Sequence, residues 1–265
     1  MVSAKAVAVC LTVVVIVVII IVLPSVLLTP PTAQFRARFM KKCLEFPEEE
    51  KICESVQATF EQAFIGKDER NVTEGNYCPL FDEFQFKHPC DKTMFWSKTK
   101  DLVHKLTKNR DSFITLEDTL LGNVLDGQVW CGKAGNKEIY TKCGSGEPNP
   151  VSSFWRAAST RFAEYACGNV TVMLDGEREE PYDSNSFFGS VEVPNLKPTR
   201  VARLTVVLVT EKNGNQCNKG ALMKLKNMLT QKGIGYACKE VEKSQIEKCI
   251  QESSPRGACE ELVSN

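Results

Sequence analysis

Cysteine placement constrains this chain more than any other feature. Of its twelve cysteines, Cys10 lies inside an apolar N-terminal run and the other eleven follow it. None forms the C-x-x-C pairs that zinc sites use. Cys43/Cys53, Cys131/Cys143, Cys217/Cys238 and Cys249/Cys259 are instead spaced as local staples, the pattern of a domain that folds in an oxidising compartment. Each such bridge stabilises a fold by ~2–4 kcal/mol. NVT sequons at Asn71 and Asn169 are acceptors for N-linked glycan. The main body is therefore expected to be luminal or extracellular.

The run AVAVCLTVVVIVVIIIVL, from Ala6 to Leu23, carries no charge. Continued through PSVLL it reaches the ~20 apolar residues that a membrane-crossing helix needs. We read residues 6–28 as an uncleaved signal-anchor, 1–5 as a short cytoplasmic tail and 29–42 as a stalk, which makes a single-pass type II membrane protein. A cleaved signal peptide is the competing reading; against it, the run is long and lacks a clean small-residue cleavage site. Lys5 precedes the run, whereas Arg36, Arg38, Lys41 and Lys42 follow it. A charge count alone would thus place the C-terminal side in the cytoplasm, and the cysteines and sequons overrule it. No apolar tail follows Cys259, which speaks against a C-terminal lipid anchor. With 33 basic and 33 acidic residues, composition gives no electrostatic case for nucleic acid. The scarcity of histidine, His88 and His104 only, disfavours a histidine-rich metal site.

Residues 43–265 read as one ectodomain with a mainly helical part (43–147) and an α/β part (148–265), the boundary falling near GSGEPNP. EEEKICESVQATFEQAF puts Ile52, Val56, Phe60 and Phe64 on one helical face. A helix is predicted from Thr93 to Lys108, with Phe95, Leu102 and Leu106 on its stripe, and a short one from Thr115 to about Gly122. PVSSFWRAASTRFAEYAC predicts a helix that turns Phe154, Ala158 and Phe162 to the core, with Trp155 and Ser159 on the neighbouring face. NVTVML, GSVEVP, RLTVVLVT and IGYACKEV read as strands, and KGALMKLKNMLTQKG as a helix. Strands alternating with helices imply a small parallel sheet. The fold class is mixed α/β: a helical N-terminal subdomain packed on a C-terminal one, stapled by disulfides.

A G-x-S-x-G elbow, a P-loop and a strand-to-helix G-x-G-x-x-G are all absent from the sequence. What remains are Glu117, Asp118, Asp126, Glu192, Trp96, Trp130 and Trp155. Each has a plain structural reading. Thr115 to Asp118 fits a capping box, Asp126 before Gly127 fits a turn, and a helical tryptophan usually packs in a core. Glu192, between two valines, fits the solvated side of a half-exposed strand.

Taken together, TLEDTLLGNVLDGQVWCG, NPVSSFWRAASTRFAEYAC and FGSVEVPNL closely resemble the ADP-ribosyl cyclase family of NAD glycohydrolase and cyclic ADP-ribose hydrolase ectoenzymes. The resemblance is to the vertebrate type II membrane branch found on lymphocyte surfaces. It runs in order from about Cys43 to Cys259 and implies that Glu192 is the catalytic carboxylate. It further implies that Trp96 and Trp155 line the pocket, that Glu117 and Asp118 meet the nicotinamide end, and that Asp126 closes that wall. Ser97, Lys98, Ser159 and Phe188 match positions near the phosphates or ribose; a lysine at position 98 offers a point charge rather than a bidentate grip. Trp130 is read as core. At Phe187, hydrolase-dominated vertebrate members carry threonine and mainly cyclising members an aromatic residue, so SFFGS resembles the cyclising type.

The vertebrate branch has six disulfides. By this resemblance the pairs here are Cys43–Cys53, Cys90–Cys167, Cys131–Cys143, Cys217–Cys238 and Cys249–Cys259. Arg70 occupies one end of the sixth, and GSGEPNP lacks the other. Cys78 is left over, free or linking a homodimer. The implied substrates are NAD, NADP and cyclic ADP-ribose, with no metal and no bound cofactor. The rival reading is a receptor or adhesion ectodomain that kept the fold and lost the chemistry.

Overall fold

Helix α1 (Pro31–Leu44) is the first element among the described residues and corrects the stalk reading over 31–42. Its Phe35, Phe39 and Cys43 recur every four residues, so they share one helical face, and all three are fully buried. The Pro-Pro pair that suggests a stalk instead begins the helix, where a missing N–H costs nothing. Helix α2 (Cys53–Gln62) faces α1 with the predicted stripe, and Val56 and Phe60 are fully buried, as is Phe64 just beyond. The computed structural model describes residues 30–46, 52–108, 112–211, 214, 216–251 and 259. The expected anchor and cytoplasmic tail lie outside these, and among the described residues no helix is long and apolar enough to cross a membrane.

After α3 (Cys78–Glu83) the chain enters a parallel sheet through β1 (Met94–Ser97) and leaves it into α4 (Lys100–Thr107). The single helix predicted over Thr93–Lys108 is thus a strand and a helix. Lys98, at φ 63°, makes the break between them, a left-handed conformation that no helix continues through. The predicted Thr115–Gly122 helix is likewise divided. A 3₁₀ turn, Leu116–Asp118, is closed by a capping box, and α5 (Leu120–Leu125) restarts from the Thr119 cap. The two turns pack so closely that a side chain at Gly122 would overlap the Leu116 carbonyl.

A hairpin, β2 (Cys131–Lys133) and β3 (Asn136–Tyr140), precedes the long helix α6 (Pro150–Tyr165). There follow β4 (Gly168–Asp175), the short α7 (Val193–Asn195), β5 (Val201–Thr210), α8 (Gly220–Gln231), β6 (Gly235–Glu242) and α9 (Lys243–Gln251). The sheet runs β1-β4-β5-β6, with every neighbouring pair parallel. Because β1 comes from the N-terminal half and pairs with β4, the two halves share one sheet. Alternation along β4 and β5 divides the core. Val172, Leu174, Val206 and Leu208 join the large cluster on one face, and Met173, Val207 and Val209 join a smaller one on the other. Trp130 is fully buried, its ring 5.2 Å from Phe60 and 5.6 Å from Phe154. Its Nε1–H donates to the Tyr77 hydroxyl at 2.9 Å, which in turn donates to the Pro150 carbonyl at 2.9 Å.

The reading of GSVEVP as a strand is overturned. Phe188–Glu192 is a π-helical turn that runs into α7, with Pro194 in the first turn of that helix. Valine-glutamate-valine alternation fits a strand, but proline fits a helix start equally well.

All five expected disulfides are present, and Cys78, half-buried, is the free cysteine among the described residues. Where a sixth bridge would join the Arg70 and GSGEPNP segments, the Gly144 N–H donates to both Glu69 carboxylate oxygens at 3.1 Å. Cys90–Cys167 spans 77 residues and ties the lead-in of β1 to that of β4, whereas Cys249–Cys259 spans 10. In the chain-entropy model these closures differ, about 4.5 against about 3 kcal/mol. Replacing Cys90 and Cys167 together by alanine is expected to lower the thermal midpoint more than replacing Cys249 and Cys259. Equal losses in parallel melts would show that loop length does not set the ranking.

Candidate active site

A cleft of about 810 Å³ opens at the ends of β1 and α5 and along one face of α6. Trp96, Ser97 and Lys98 enter it from the end of β1, Glu117 from the 3₁₀ turn, and Asp126 from the C-terminal end of α5. Trp155 and Ser159, one helical turn apart on α6, form another wall. Phe187, Phe188 and Glu192 come from the π-helical turn.

The wide π turn sets the position of Glu192. The turn is seated on the loop before it: the Ser186 hydroxyl accepts from the Gly189 N–H at 3.0 Å and donates to the Asp183 carbonyl at 2.7 Å. A side chain at residue 189 would overlap the Asp183 carbonyl and Ser184, so only glycine permits this contact. Glu192 is 8 % exposed. Burial pushes its carboxyl up to about 8; a hydrogen bond from the Ser159 hydroxyl opposes the rise, and the negative charge of Glu117 adds to it.

Glu117 is tuned the other way. Burial alone would raise its carboxyl, but His104, the Trp96 indole N–H and the residue's own backbone N–H hold it below the ordinary carboxylate range. Trp96 Nε1–H donates to Glu117 Oε2 at 3.2 Å. His104 Nε2 stands 3.7 Å from the same oxygen, a charge contact rather than a hydrogen bond. The cleft therefore sets two carboxyls apart, one favouring the neutral form and one the ionised form, as sites of acid–base and electrostatic catalysis do.

At the rim, Asp126 pairs with Lys100 at 2.8 Å. Lys42 Nζ donates to the Asn123 and Asp126 carbonyls at 3.0 and 2.9 Å, fixing the end of α5. The two adjacent phenylalanines diverge. Phe188 is buried at 5.9 Å from Phe95, whereas Phe187 is 40 % exposed in the cleft with the Arg156 guanidinium 5.3 Å from its ring. Lys98 is exposed and Ser97 and Ser159 are buried in the wall. Trp155 is half-buried, its indole edge-on to Phe154 at 5.2 Å.

Asp118 does not join them. Its carboxylate accepts from the Thr115 N–H at 2.9 Å and hydroxyl at 2.7 Å, and the residue lines a separate depression on the far side of the turn. The expectation that it meets the nicotinamide end is corrected, since its Oδ2 is held in the cap and the residue lines that depression rather than the cleft. Conversely, His104 and Lys100 were not among the expected residues. They lie one turn apart on α4, and their partners are distant in sequence, so no local spacing signals them. Asn71 is exposed and Asn169 half-buried at the start of β4. Among the described residues one group has metal-ligand spacing, Glu69 with Cys131 and Cys143, but its sulfurs are joined to each other.

A family model described as ADP-ribosyl cyclase matches residues 32–258. The mouse protein named ADP-ribosyl cyclase/cyclic ADP-ribose hydrolase 1 is 37% identical over 223 residues, 79% of this chain and 73% of its own length. The corresponding Aplysia kurodai protein is 33% identical, over 82% of this chain and 83% of its own. Porcine CD38, solved with a covalent intermediate, superposes with a TM-score of 0.74 at 35% identity, covering 80% of this chain and 97% of that one. Aplysia cyclase with substrate NGD and product cGDPR also superposes at 0.74, with 29% identity, over 87% of this chain and 98% of that one. With this fold, this cleft and these relatives, the chain belongs to the ADP-ribosyl cyclase family.

Proposed function

We propose that this protein cleaves the nicotinamide–ribose bond of NAD, releasing nicotinamide and giving ADP-ribose and cyclic ADP-ribose. The observation that carries this reading is Glu192, a carboxyl buried in a tryptophan-lined cleft and pushed up by that burial. NAD supplies the missing cation. Its pyridinium suits the indole faces of Trp96 and Trp155, and its positive charge favours the ionised form of Glu192.

The C1′–N bond breaks with its electron pair moving to the ring nitrogen. Nicotinamide leaves neutral, so no general acid is needed, unlike the two-carboxylate pattern of ordinary glycosidases. Ionised Glu192 stabilises the oxocarbenium-like charge left on the ribose. Collapse of the carboxylate onto C1′ would give a covalent adduct, and a covalent intermediate is named for the porcine neighbour. Water then gives ADP-ribose, and a ring nitrogen of the folded-back adenine gives the cyclic product. Glu117 accepts from the carboxamide of the departing nicotinamide. Base exchange on NADP follows if a second pyridine base captures the same cation. The five disulfides and the two sequons support an extracellular or luminal body held by residues 6–28, with glycan at Asn71 and Asn169.

Incubation of the purified protein with NAD, followed by chromatographic separation of products, tests the reading directly. Glu192→Gln is expected to lower turnover at least a hundredfold, the usual range for one lost electrostatic stabiliser being about 10²–10³. A buried carboxyl with a raised value favours folding below its unfolded value of 4.5 and loses that contribution as pH rises through about 8. The same variant should therefore melt no lower than the parent between pH 7 and 9. Near-parental turnover would return Glu192 to a structural role.

Phe187 bears on the product ratio. An aromatic ring exposed in the cleft excludes water from the ribosyl cation and offers adenine a stacking face. Phe187→Thr is expected to shift early products toward ADP-ribose. An unchanged early ratio in a folded, active variant would remove Phe187 from the partition.

A further inference from the structure

His104 touches two residues of the cleft without lining it. Its Nε2 stands 3.7 Å from Glu117 Oε2, and its ring meets the Trp96 indole edge-on, with centroids 5.8 Å apart and planes at 86°. Trp96 Nε1–H donates to that same carboxylate oxygen at 3.2 Å. Histidine, glutamate and tryptophan thus form a closed triangle drawn from α4, the 3₁₀ turn and β1. Glu117 and Trp96 line the cleft, whereas His104 stands behind them. We propose that His104 is a positioning residue for the nicotinamide end of the cleft, holding Glu117 ionised and the Trp96 indole in place against it. This rests on the activity proposed above.

The physical need is specific. Glu117 is largely buried and lies close enough to Glu192 for its negative charge to act on that carboxyl. Without a cation behind it, burial would drive Glu117 toward the neutral form. A neutral carboxyl would present a hydroxyl, or one acceptor fewer, to a substrate amide. The other charged groups acting on the imidazole are Asp126 at the end of α5 and Lys100 one turn earlier on α4. Helix α9, packed on α4, contributes Ile246 and Cys249 to the apolar cluster with Val103 and Leu106. Glu117 and Asp126 favour the imidazolium, while burial and Lys100 oppose it, and the balance raises His104 above its ordinary 6.5. The pair is therefore complete from above the lowered Glu117 value up to pH 6.5, and its contribution is lost as pH rises through the raised His104 value.

The chain has two histidines, so the imidazole resonances can be assigned from a single His104→Gln variant. His88 is an internal reference, pushed down to about 4 by burial and by the charge of Arg200. In an NMR titration His104 is expected to titrate above 6.5. Glu117→Gln should lower it, since the adjacent negative charge is lost, while His88 stays fixed. In kinetics, His104→Gln is expected to raise KM for NAD about tenfold with a smaller fall in kcat, and to add less than twofold in the Glu117→Gln background. A His104 titration indifferent to Glu117→Gln, or equal KM effects in both backgrounds, would overturn the positioning role. A parent protein that fails to cleave NAD but shows the predicted titration would overturn the proposed activity and leave the pairing supported.

Discussion

A carboxylate removed from water loses its hydration, and unless a cation replaces that hydration the group gives up its charge. Glu192 is held in this position. Burial and the like charge of Glu117 both favour its neutral form, and they outweigh the one hydrogen bond that Ser159 supplies. Such a group costs stability at neutral pH relative to a neutral isostere, a cost proteins retain at functional sites. Its value lies in the partner it lacks. A substrate whose reacting ring is cationic completes the site on arrival, and the carboxylate is then ionised where positive charge develops on the ribose.

The rest of the architecture keeps that carboxyl where it is. The π turn carrying it is seated on the Asp183–Ser186 loop through a contact that only glycine allows. Its Phe188 is anchored against Phe95 of β1. Strand β1 is itself paired to β4 and tied to it by Cys90–Cys167. Helix α6 presents Phe154, Ala158 and Phe162 to the core and, a fraction of a turn away, Trp155 and Ser159 to the cleft. The aromatic cluster around Trp130 fixes α6 from behind. Strand β1, helix α6 and the seated π turn thus position Trp96, Trp155, Ser159 and Glu192 around the cleft, as pre-organised electrostatics requires.

Much of this was legible in residue patterns. The α6 stripe, the strands β4, β5 and β6 and the local cysteine pairs all follow from spacing within a few residues. Cys90–Cys167 and the places of Glu192 and Phe187 in the cleft came through resemblance, because the partners are far apart along the chain. Local pattern failed where two structures share one signal. Val191-Glu192-Val193 satisfies a strand and a π turn alike, and Phe95-Trp96 satisfies a helical stripe until Lys98 breaks it. The PPT opening of α1 hid a four-residue Phe35/Phe39/Cys43 spacing that becomes visible once the prolines are read as a helix start. Asp118 carried both readings from the outset, and its capping box wins because holding Oδ2 to Thr115 sets the residue in a depression outside the cleft. His104 had no signal at all, since its meaning comes only from Trp96 and Glu117.

In the proposed mechanism Glu192 is protonated in the empty cleft and ionises when a pyridinium enters. The most direct test is calorimetric binding of a carbocyclic NAD analogue, which keeps the pyridinium but cannot form an oxocarbenium ion. Titrations near pH 7 in buffers of different ionisation enthalpy report the protons released. Release approaching one proton per site is expected in the parent protein, and its loss in Glu192→Gln. Binding with no net proton release, or release that survives in Glu192→Gln, would contradict it.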